Sequence, residues 1–449
     1  MIRNTIISAF VVIACGSAYA QTIETADRAV ANMRIGWNLG NTLDSNSGDL
    51  ENMWIEMWSQ RKTSDYETAW GQPITKPELF KLFKDAGFNA IRVPVTWYPH
   101  MEAKFDGGLS WDPVKDPIGT KIQADWMKRV HEIVDYVISQ DMYCILNIHH
   151  DTGAASTCWL VADEKVYEEQ KDRFEAVWTQ IAEEFKDYDG HLLFEGYNEM
   201  LDPYDSWCFS SFGTPSQYNA SVAESAYKAI NSYAQSFVDA VRATGGNNAE
   251  RNLIVSTYGA CCGEGNWNSH LQDPLKEMLL PEDDAEDHII FEVHSYPYIG
   301  GGLNSAKSSV KSMMTAVETH LASKGAPVIF GEWGTSDGDD YKNHRNDMVA
   351  FARDFVEQAK EHDFATFYWM GLCDGNSRSV PAFNQKDLVE AIVKGYYGDE
   401  GYMGVNVNVS GPAEELEYYD LMGTRLQSPA HGINIVRMSD GTTKKIMKK

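Results

Sequence analysis

Basic side chains are scarce in this sequence. The 449 residues include 38 Lys and Arg against 65 Asp and Glu, a formal charge of −27. A surface that negative repels phosphate backbones and anionic headgroups, which excludes nucleic acid and membrane surfaces as main partners and leaves neutral ligands unpenalised. Cysteine is scarce too, at 7 residues. Cys144, Cys158, Cys208, Cys261, Cys262 and Cys373 show no CxxC or Cys/His spacing of a zinc site. Their number is also far too small for a disulfide-built scaffold. Beyond residue 20 no run is apolar enough to cross a bilayer, and no internal repeat or low-complexity linker breaks the chain. What is plentiful is ordinary core material: 43% hydrophobic and 23% charged residues exclude a disordered or fibrous protein. The length allows two or three ordinary domains, or one large barrel with an appendage.

Both ends differ from the middle. Residues 1–20 carry Arg3, an apolar run from Ile6 to Ala14, and a small-x-small site, Ala18-Tyr19-Ala20, before Gln21. This is the pattern of a secretory signal peptide, so an exported protein is expected. Val12-Ile13-Ala14-Cys15 also resembles a lipoprotein box, but the junction after Ala20 is the better formed. Export permits disulfides. Cys158 and Cys208, in loops after neighbouring strands, are the expected pair, and Cys144, inside a strand, is expected to be a buried free thiol. At the other end, Leu421–Lys449 holds six basic residues and one acidic. Gly432–Met438 alternates like a strand, Asp440-Gly441 is a hairpin turn signal, and Thr442–Met447 is the expected return strand. This reads as a short β-rich tail over 399–449, too small for its own core, that docks on the main domain or is read by export machinery.

Between the ends, short apolar runs alternate with helical stretches. The strand candidates are Arg34–Gly40, Ala90–Val95, Tyr143–His149, Leu192–Glu199, Leu253–Tyr258, Ile289–Tyr296, Val328–Trp333 and Thr366–Gly371. They are near-continuous apolar runs, as expected of parallel strands covered on both faces. Helical periodicity marks 122–140 and 167–187, and segments 77–86, 216–244, 305–323, 344–361 and 385–397 follow suit. The stretch 271–280 is a weaker candidate. Eight strand–helix units predict an α/β fold, a (β/α)8 TIM barrel over 21–398. The excess over the usual ~250 residues falls in loops after strands, at 41–76, 96–120, 150–165 and 200–215, where such barrels build their sites.

The polar residues at the strand ends converge on one mouth. Asn41 follows strand one, Arg92 sits in strand two, and His149 and His150 close strand three. Asn198 and Glu199 close strand four, His294 and Tyr296 strand six, Glu332 strand seven and Trp369 strand eight. Glu199 and Glu332 end strands on opposite sides of the mouth. Two facing carboxyl groups are the minimum apparatus for glycoside hydrolysis, one donating a proton and the other attacking or stabilising the anomeric centre. Arg92, inside an apolar strand, demands a buried anionic partner. Glu195 has the inward parity of Glu199 but lies deeper, so it reads as a barrel residue. With 13 Trp and 22 Tyr in the chain, flat faces for neutral sugars are available, and Trp369 is placed to be one. His149-His150-Asp151 could suggest a metal. Adjacent strand residues point apart, however, and strands one and five lack the His-x-His and Lys of a barrel metallohydrolase, so no metal or other cofactor is expected. A merely sugar-binding barrel would need neither carboxylate.

At these residues the sequence resembles glycoside hydrolase family 5, the cellulase family A, over about residues 30–395. The fragments are GWNLGNTLD at 36–44, ETAWGQP at 67–73, GFNAIRVPVTW at 87–97, WMKRVHEIVDYV at 126–137, YCILNIHHD at 143–151, FEGYNE at 194–199, HSYPY at 294–298 and GEWG at 331–334. They look most like the subfamily of endo-β-1,4-glucanases that often also accept xyloglucan and mixed-linkage glucan. The resemblance implies a retaining mechanism with Glu199 as acid/base and Glu332 as nucleophile. It implies that Arg92 and Tyr296 hold Glu332, that His294 sits near the acid/base, and that Asn198 binds the sugar 2-hydroxyl. His149, His150 and Asn41 would line the non-reducing side, with Trp369 stacking there. Met200 stands where relatives often carry Pro, and Trp369-Met370-Gly371 replaces a more usual Trp-Asp-Asn. A mannanase or xyloglucanase on the same machinery is the alternative specificity, the partner is a β-glucan, and a monomer is expected.

Overall fold

The computed structural model describes residues 23–449 apart from 60–61, 103–118, 207–217, 266–267, 335–343, 403–414, 420–424, 427, 431, 439–442 and 449. The expected signal peptide, Cys15 and Cys208 lie outside the described residues. Eight parallel strands close into a barrel, with β1 (Ile35–Asn38) pairing β8 (Ala365–Tyr368). Between them run β2 (Ala90–Val93), β3 (Tyr143–Asn147), β4 (Leu192–Glu195), β5 (Leu253–Cys261), β6 (Ile289–Ser295) and β7 (Val328–Trp333). The (β/α)8 expectation is met. Strands β1 to β4 and β8 leave the ladder earlier than their apolar runs suggest. The segments beyond stay tethered by single bonds, such as His149 N–H to Val95 O at 2.8 Å and Asn198 N–H to Ile148 O at 3.0 Å.

Local chemistry sets the helix ends. Pro77 opens Pro77–Asp85, and Gly87, at φ +103°, supplies the left-handed turn after it. Asp163 accepts from Lys165 N–H and Val166 N–H at the head of Glu164–Glu184, and Asn219 does the same for Ala220–Ala243. The apolar faces of these helices cover the outside of the barrel. Trp178 and Phe237 both pack there fully buried, and Trp178 Nε1–H reaches Gly196 O at 2.9 Å.

Inside the barrel the alternation of each strand produces layers. The lower layer is apolar: Ile145, Leu193, Ile254, Ile290 and Ile329 are fully buried. Each is worth roughly 1.5–3 kcal/mol of burial. A helix over Ala26–Met33, not expected from the sequence reading, plugs the amino end by adding Ala26, Ala29, Val30 and Met33 to this cluster. Gly36 is required here, because a Cβ would lie 2.2 Å from the Phe367 ring. Two residues further along each strand the same inward parity carries Asn38, Arg92, Asn147, Glu195, Ser256 and Glu292, all fully buried. The packed base thus gives way to an ionic layer directly beneath the mouth.

After the barrel, the helical stretch Lys386–Tyr402 is broken by a kink at Gly398, whose φ of +74° is not helical. The tail forms a four-stranded antiparallel sheet in the order β10-β9-β11-β12. Its strands are β9 (Glu415–Tyr419), β10 (Arg425–Leu426), β11 (Gly432–Met438) and β12 (Thr443–Lys448). The expected hairpin is β11/β12, with Ile435 opposite Lys445; β9 and β10 were not anticipated. Among the described residues no helix is long and apolar enough to cross a membrane.

Candidate active site

Arg92 is the centre of the ionic layer. Its guanidinium forks onto Glu195, with Nε–H to Oε2 at 2.6 Å and Nη2–H to Oε1 at 2.7 Å. Nη1–H reaches Glu332 Oε1 at 2.7 Å and Asn38 Oδ1 at 3.0 Å, while Nη2–H reaches Asn198 Oδ1 at 2.8 Å. Glu292 Oε1 stands 3.3 Å from Nε. One fully buried cation therefore serves three carboxylates. Burial works against the charge, but Glu195, Glu292 and Glu332 outweigh it and hold the guanidinium well above its ordinary range. Glu195 is pushed to about 7, by burial above all, against the pull of Arg92. Glu292 is held lower than usual: Arg92, His294 and Ser256 outweigh its burial. Glu195 is thus a deep barrel residue, as expected.

The two candidate carboxylates sit directly above. Glu332 Oε2 accepts from Tyr296 Oη–H at 2.7 Å, so both its oxygens are held, one by a cation and one by a phenol. Burial and the Glu332 and Glu199 charges keep the Tyr296 phenol protonated. Glu199 Oε1 pairs with His294 Nδ1 at 2.8 Å. His294 Nδ1 is also 3.7 Å from Glu332 Oε2, and Nε2 is 3.4 Å from Glu292 Oε1. Burial alone would lower the His294 pKa, but Glu332, Glu199 and Glu292 in their ionised forms raise it to about 10. One oxygen each of Glu199 and Glu332 lie within 4.8 Å of each other. The Glu332 side chain is 6% exposed and that of Glu199 23%, so the first is sheltered and the second faces the cleft.

The remaining expected residues gather on the β1, β3 and β8 side. His149 is buried and its ring is stacked with that of half-buried Trp369 (5.7 Å, 12°). Gly40 leaves room for this, since a Cβ there would lie 2.9 Å from Trp369 Cη2. Burial first, then His150, Arg92 and His294, hold His149 well below its ordinary pKa; burial takes half-buried His150 down to about 4. His150 stands edge-on to Trp70 (5.6 Å), and its Nε2 is 3.9 Å from Asp44 Oδ2. Asn41 adopts φ +58° and donates its N–H to Asp44 Oδ2 at 3.0 Å. Asn198 turns its Oδ1 toward Arg92, which orients its amide donors the other way.

Two expectations need correction. His149 and His150 do not point apart: β3 ends at Asn147, both lie on the following loop, and their rings are 4.4 Å apart. Strand alternation therefore does not apply, and ligand-type atoms of Asp44, His149 and His150 lie within 4.8 Å of one another. The Cys158–Cys208 bridge is also wrong. Cys158 is a free thiol whose Sγ–H points at His150 O, 3.7 Å away, and among the described residues it is Cys261 that is disulfide-bonded. Neighbouring loops do not fix which sulfurs meet. Cys144 is buried and free, as expected. Sequence reading missed Glu292 and Asp44. Glu292 was findable, because it is a charged residue in an apolar strand with the same inward parity as His294.

Residues 52–372 match the model described as Cellulase (glycosyl hydrolase family 5). The chain belongs to that family and is a glycoside hydrolase. It is 32% identical to Endoglucanase B of Neocallimastix patriciarum over 82% of this chain and 71% of that protein. A GH5-4 broad specificity endoglucanase from an uncultured bacterium is 52% identical, covering 85% of this chain and 98% of that one, with a TM-score of 0.77. A Prevotella bryantii family 5 enzyme, solved with a xyloglucan tetradecasaccharide, is 37% identical over 83% of this chain and 99% of that one, with a TM-score of 0.70.

Proposed function

We propose that this chain is a secreted, retaining endo-β-1,4-glucanase that acts without metal or nucleotide. The observation that carries the reading is the pair Glu199 and Glu332, with oxygens within 4.8 Å of each other across the mouth. A retaining pair stands about 5–5.5 Å apart, whereas an inverting pair is held about 6.5–9.5 Å apart to admit water. Glu332, fixed by Arg92 and Tyr296, attacks the anomeric carbon. Glu199 donates its proton to the leaving oxygen, the glycosidic bond breaks, and a glycosyl ester forms on Glu332. Glu199 then takes a proton from water, which attacks the same carbon and releases Glu332. Asn198 donates an amide hydrogen to the sugar 2-hydroxyl. His149, His150, Asn41 and the face of Trp369 hold the non-reducing side.

The endoglucanase names among the relatives support a β-glucan substrate, and the xyloglucan complex of the Prevotella bryantii enzyme supports a branched one as well. The test is a panel of carboxymethyl-cellulose, mixed-linkage glucan, xyloglucan and mannan with product sizing. The reading expects internal cleavage of glucans and little release from mannan; mannan as the best substrate would overturn the specificity. Export is carried by the residue 1–20 pattern, and the secreted protein is expected to begin at Gln21.

A further inference from the structure

The carboxyl end of β5 departs from a regular ladder. Five residue steps of β5, Ser256 to Cys261, pair against only two of β6, Glu292 to His294. The surplus turns through Gly259 (φ +57°) and Ala260 (φ +50°), the second a conformation that a residue with a Cβ rarely takes. Bulges of this kind re-aim the chain beside functional sites. This one is firmly held. Cys261 is disulfide-bonded. Gly259 N–H reaches Met200 O at 3.0 Å, and Tyr258 Oη–H reaches Asp202 Oδ2 at 2.7 Å, tying the bulge to the segment that follows Glu199.

Between the bulge and the ends of β4 and β6 lies a cavity of about 410 Å³. Glu199, His294, Ser295 and Tyr296 form one wall, and the turn from Gly259 to Glu264 forms the other. It is on the opposite side of the mouth from His149, Asn41 and Trp369. Glu264 lines it half-buried. Its Oε2 accepts from Ser295 Oγ–H and its Oε1 from Ser309 Oγ–H, both at 3.3 Å. No described Lys, Arg or His offsets its charge, and burial raises its pKa against the pull of the two hydroxyls. Two long hydroxyl contacts leave acceptor capacity on both oxygens. A carboxylate with spare lone pairs, in a cavity that shares a wall with the proton donor, suits neutral hydroxyl donors. Hydrogen bonds to it are charge-assisted and so of the stronger kind.

We propose that Glu264 determines specificity on the leaving-group side, accepting hydrogen bonds from hydroxyls of the sugar that departs across Glu199. This rests on the reading of Glu199 as the proton donor. The full chain and its Glu264→Gln and Glu264→Ala variants are compared on cellopentaose and on an aryl β-cellobioside, whose phenol places no sugar in this cavity. The ratio of kcat/KM for cellopentaose to that for the aryl glycoside is expected to fall about tenfold or more in Glu264→Ala, as for one lost hydrogen bond to a charged group, and by less in Glu264→Gln. Thermal melting verifies the fold, and the isosteric Gln variant decides the matter if the Ala variant does not fold. A ratio within about twofold of the wild-type value in folded variants, or equal losses on both substrates, overturns the proposal. A wild-type enzyme that cleaves neither substrate overturns the hydrolytic roles first, and this inference with them.

Discussion

Two adjacent layers of one barrel interior are built from the same strands, two residues apart, yet in opposite chemistries. The lower layer, built of Ile145, Leu193, Ile254, Ile290 and Ile329, is apolar and closes on the helix Ala26–Met33. The upper layer places Glu195 and Glu292 around one guanidinium, which also reaches up to Glu332 at the mouth. The lower layer depends on volume, so its losses scale with the cavity left behind. The upper layer depends on charge compensation, so removing one member strands the others. The comparison teaches that the scaffold's stability and its chemistry are separable along the strand axis, by a single step of alternation.

The sharpest way to break this separation is at the mouth. Glu199→Gln and Glu332→Gln are each expected to lower kcat by ~10³-fold or more with the melting temperature little changed. Either variant retaining more than about a tenth of the wild-type rate on carboxymethyl-cellulose would sink the assignment. Arg92→Met goes one level down and is expected to cost both properties. It leaves buried carboxylates without their cation, about 3–5 kcal/mol by denaturant unfolding, and releases Glu332. Ile254→Ala, in the lower layer, is expected to cost about 2–5 kcal/mol and leave kcat near wild type. A large loss of kcat in the folded Ile254 variant would show the two layers to be coupled.

Smaller effects sharpen the comparison. The His294 pKa is raised to about 10 in the folded chain, so its contribution to stability is complete below its unfolded value near 6.5 and is lost as pH rises through about 10. Stability from this group therefore declines across the window of roughly pH 6.5 to 10. Glu292→Gln removes one of the carboxylates that hold the His294 proton and is expected to end that decline at lower pH and make it smaller, read as melting temperature against pH. An unshifted curve would remove Glu292 from the network. The smallest effect is expected at the tail. A chain ended after Tyr402 should keep its kcat and lose little stability, since every residue placed in the site lies before it.

The barrel was legible because buried parallel strands read as apolar runs: Val328–Trp333 was expected at its observed bounds. The site was legible because polar residues at the ends of such runs have one place to go. Glu199, Glu332, Arg92, His294, Tyr296 and Asn198 all meet there. What escaped depends on where a strand stops or on distances across loops. His149 and His150 were assigned strand geometry two and three residues past the end of β3. The cysteine partners depend on loop paths that no local pattern records. Glu292 carries a signal of the same kind as Arg92, since an acidic residue between Phe291 and Val293 in an apolar strand demands a buried cation. The plug helix had its stripe in view, Ala26, Ala29, Val30 and Met33, at helical spacing.

The most direct test of the central claim is to trap the covalent intermediate. A 2-fluoro aryl cellobioside slows both steps by destabilising positive charge at the anomeric carbon, and a good leaving group restores only the first. Mass spectrometry of the digested enzyme is expected to find one cellobiosyl label, on the peptide containing Glu332 and at that residue. A label on Glu199, or inactivation with no covalent label on Glu332, would contradict the account.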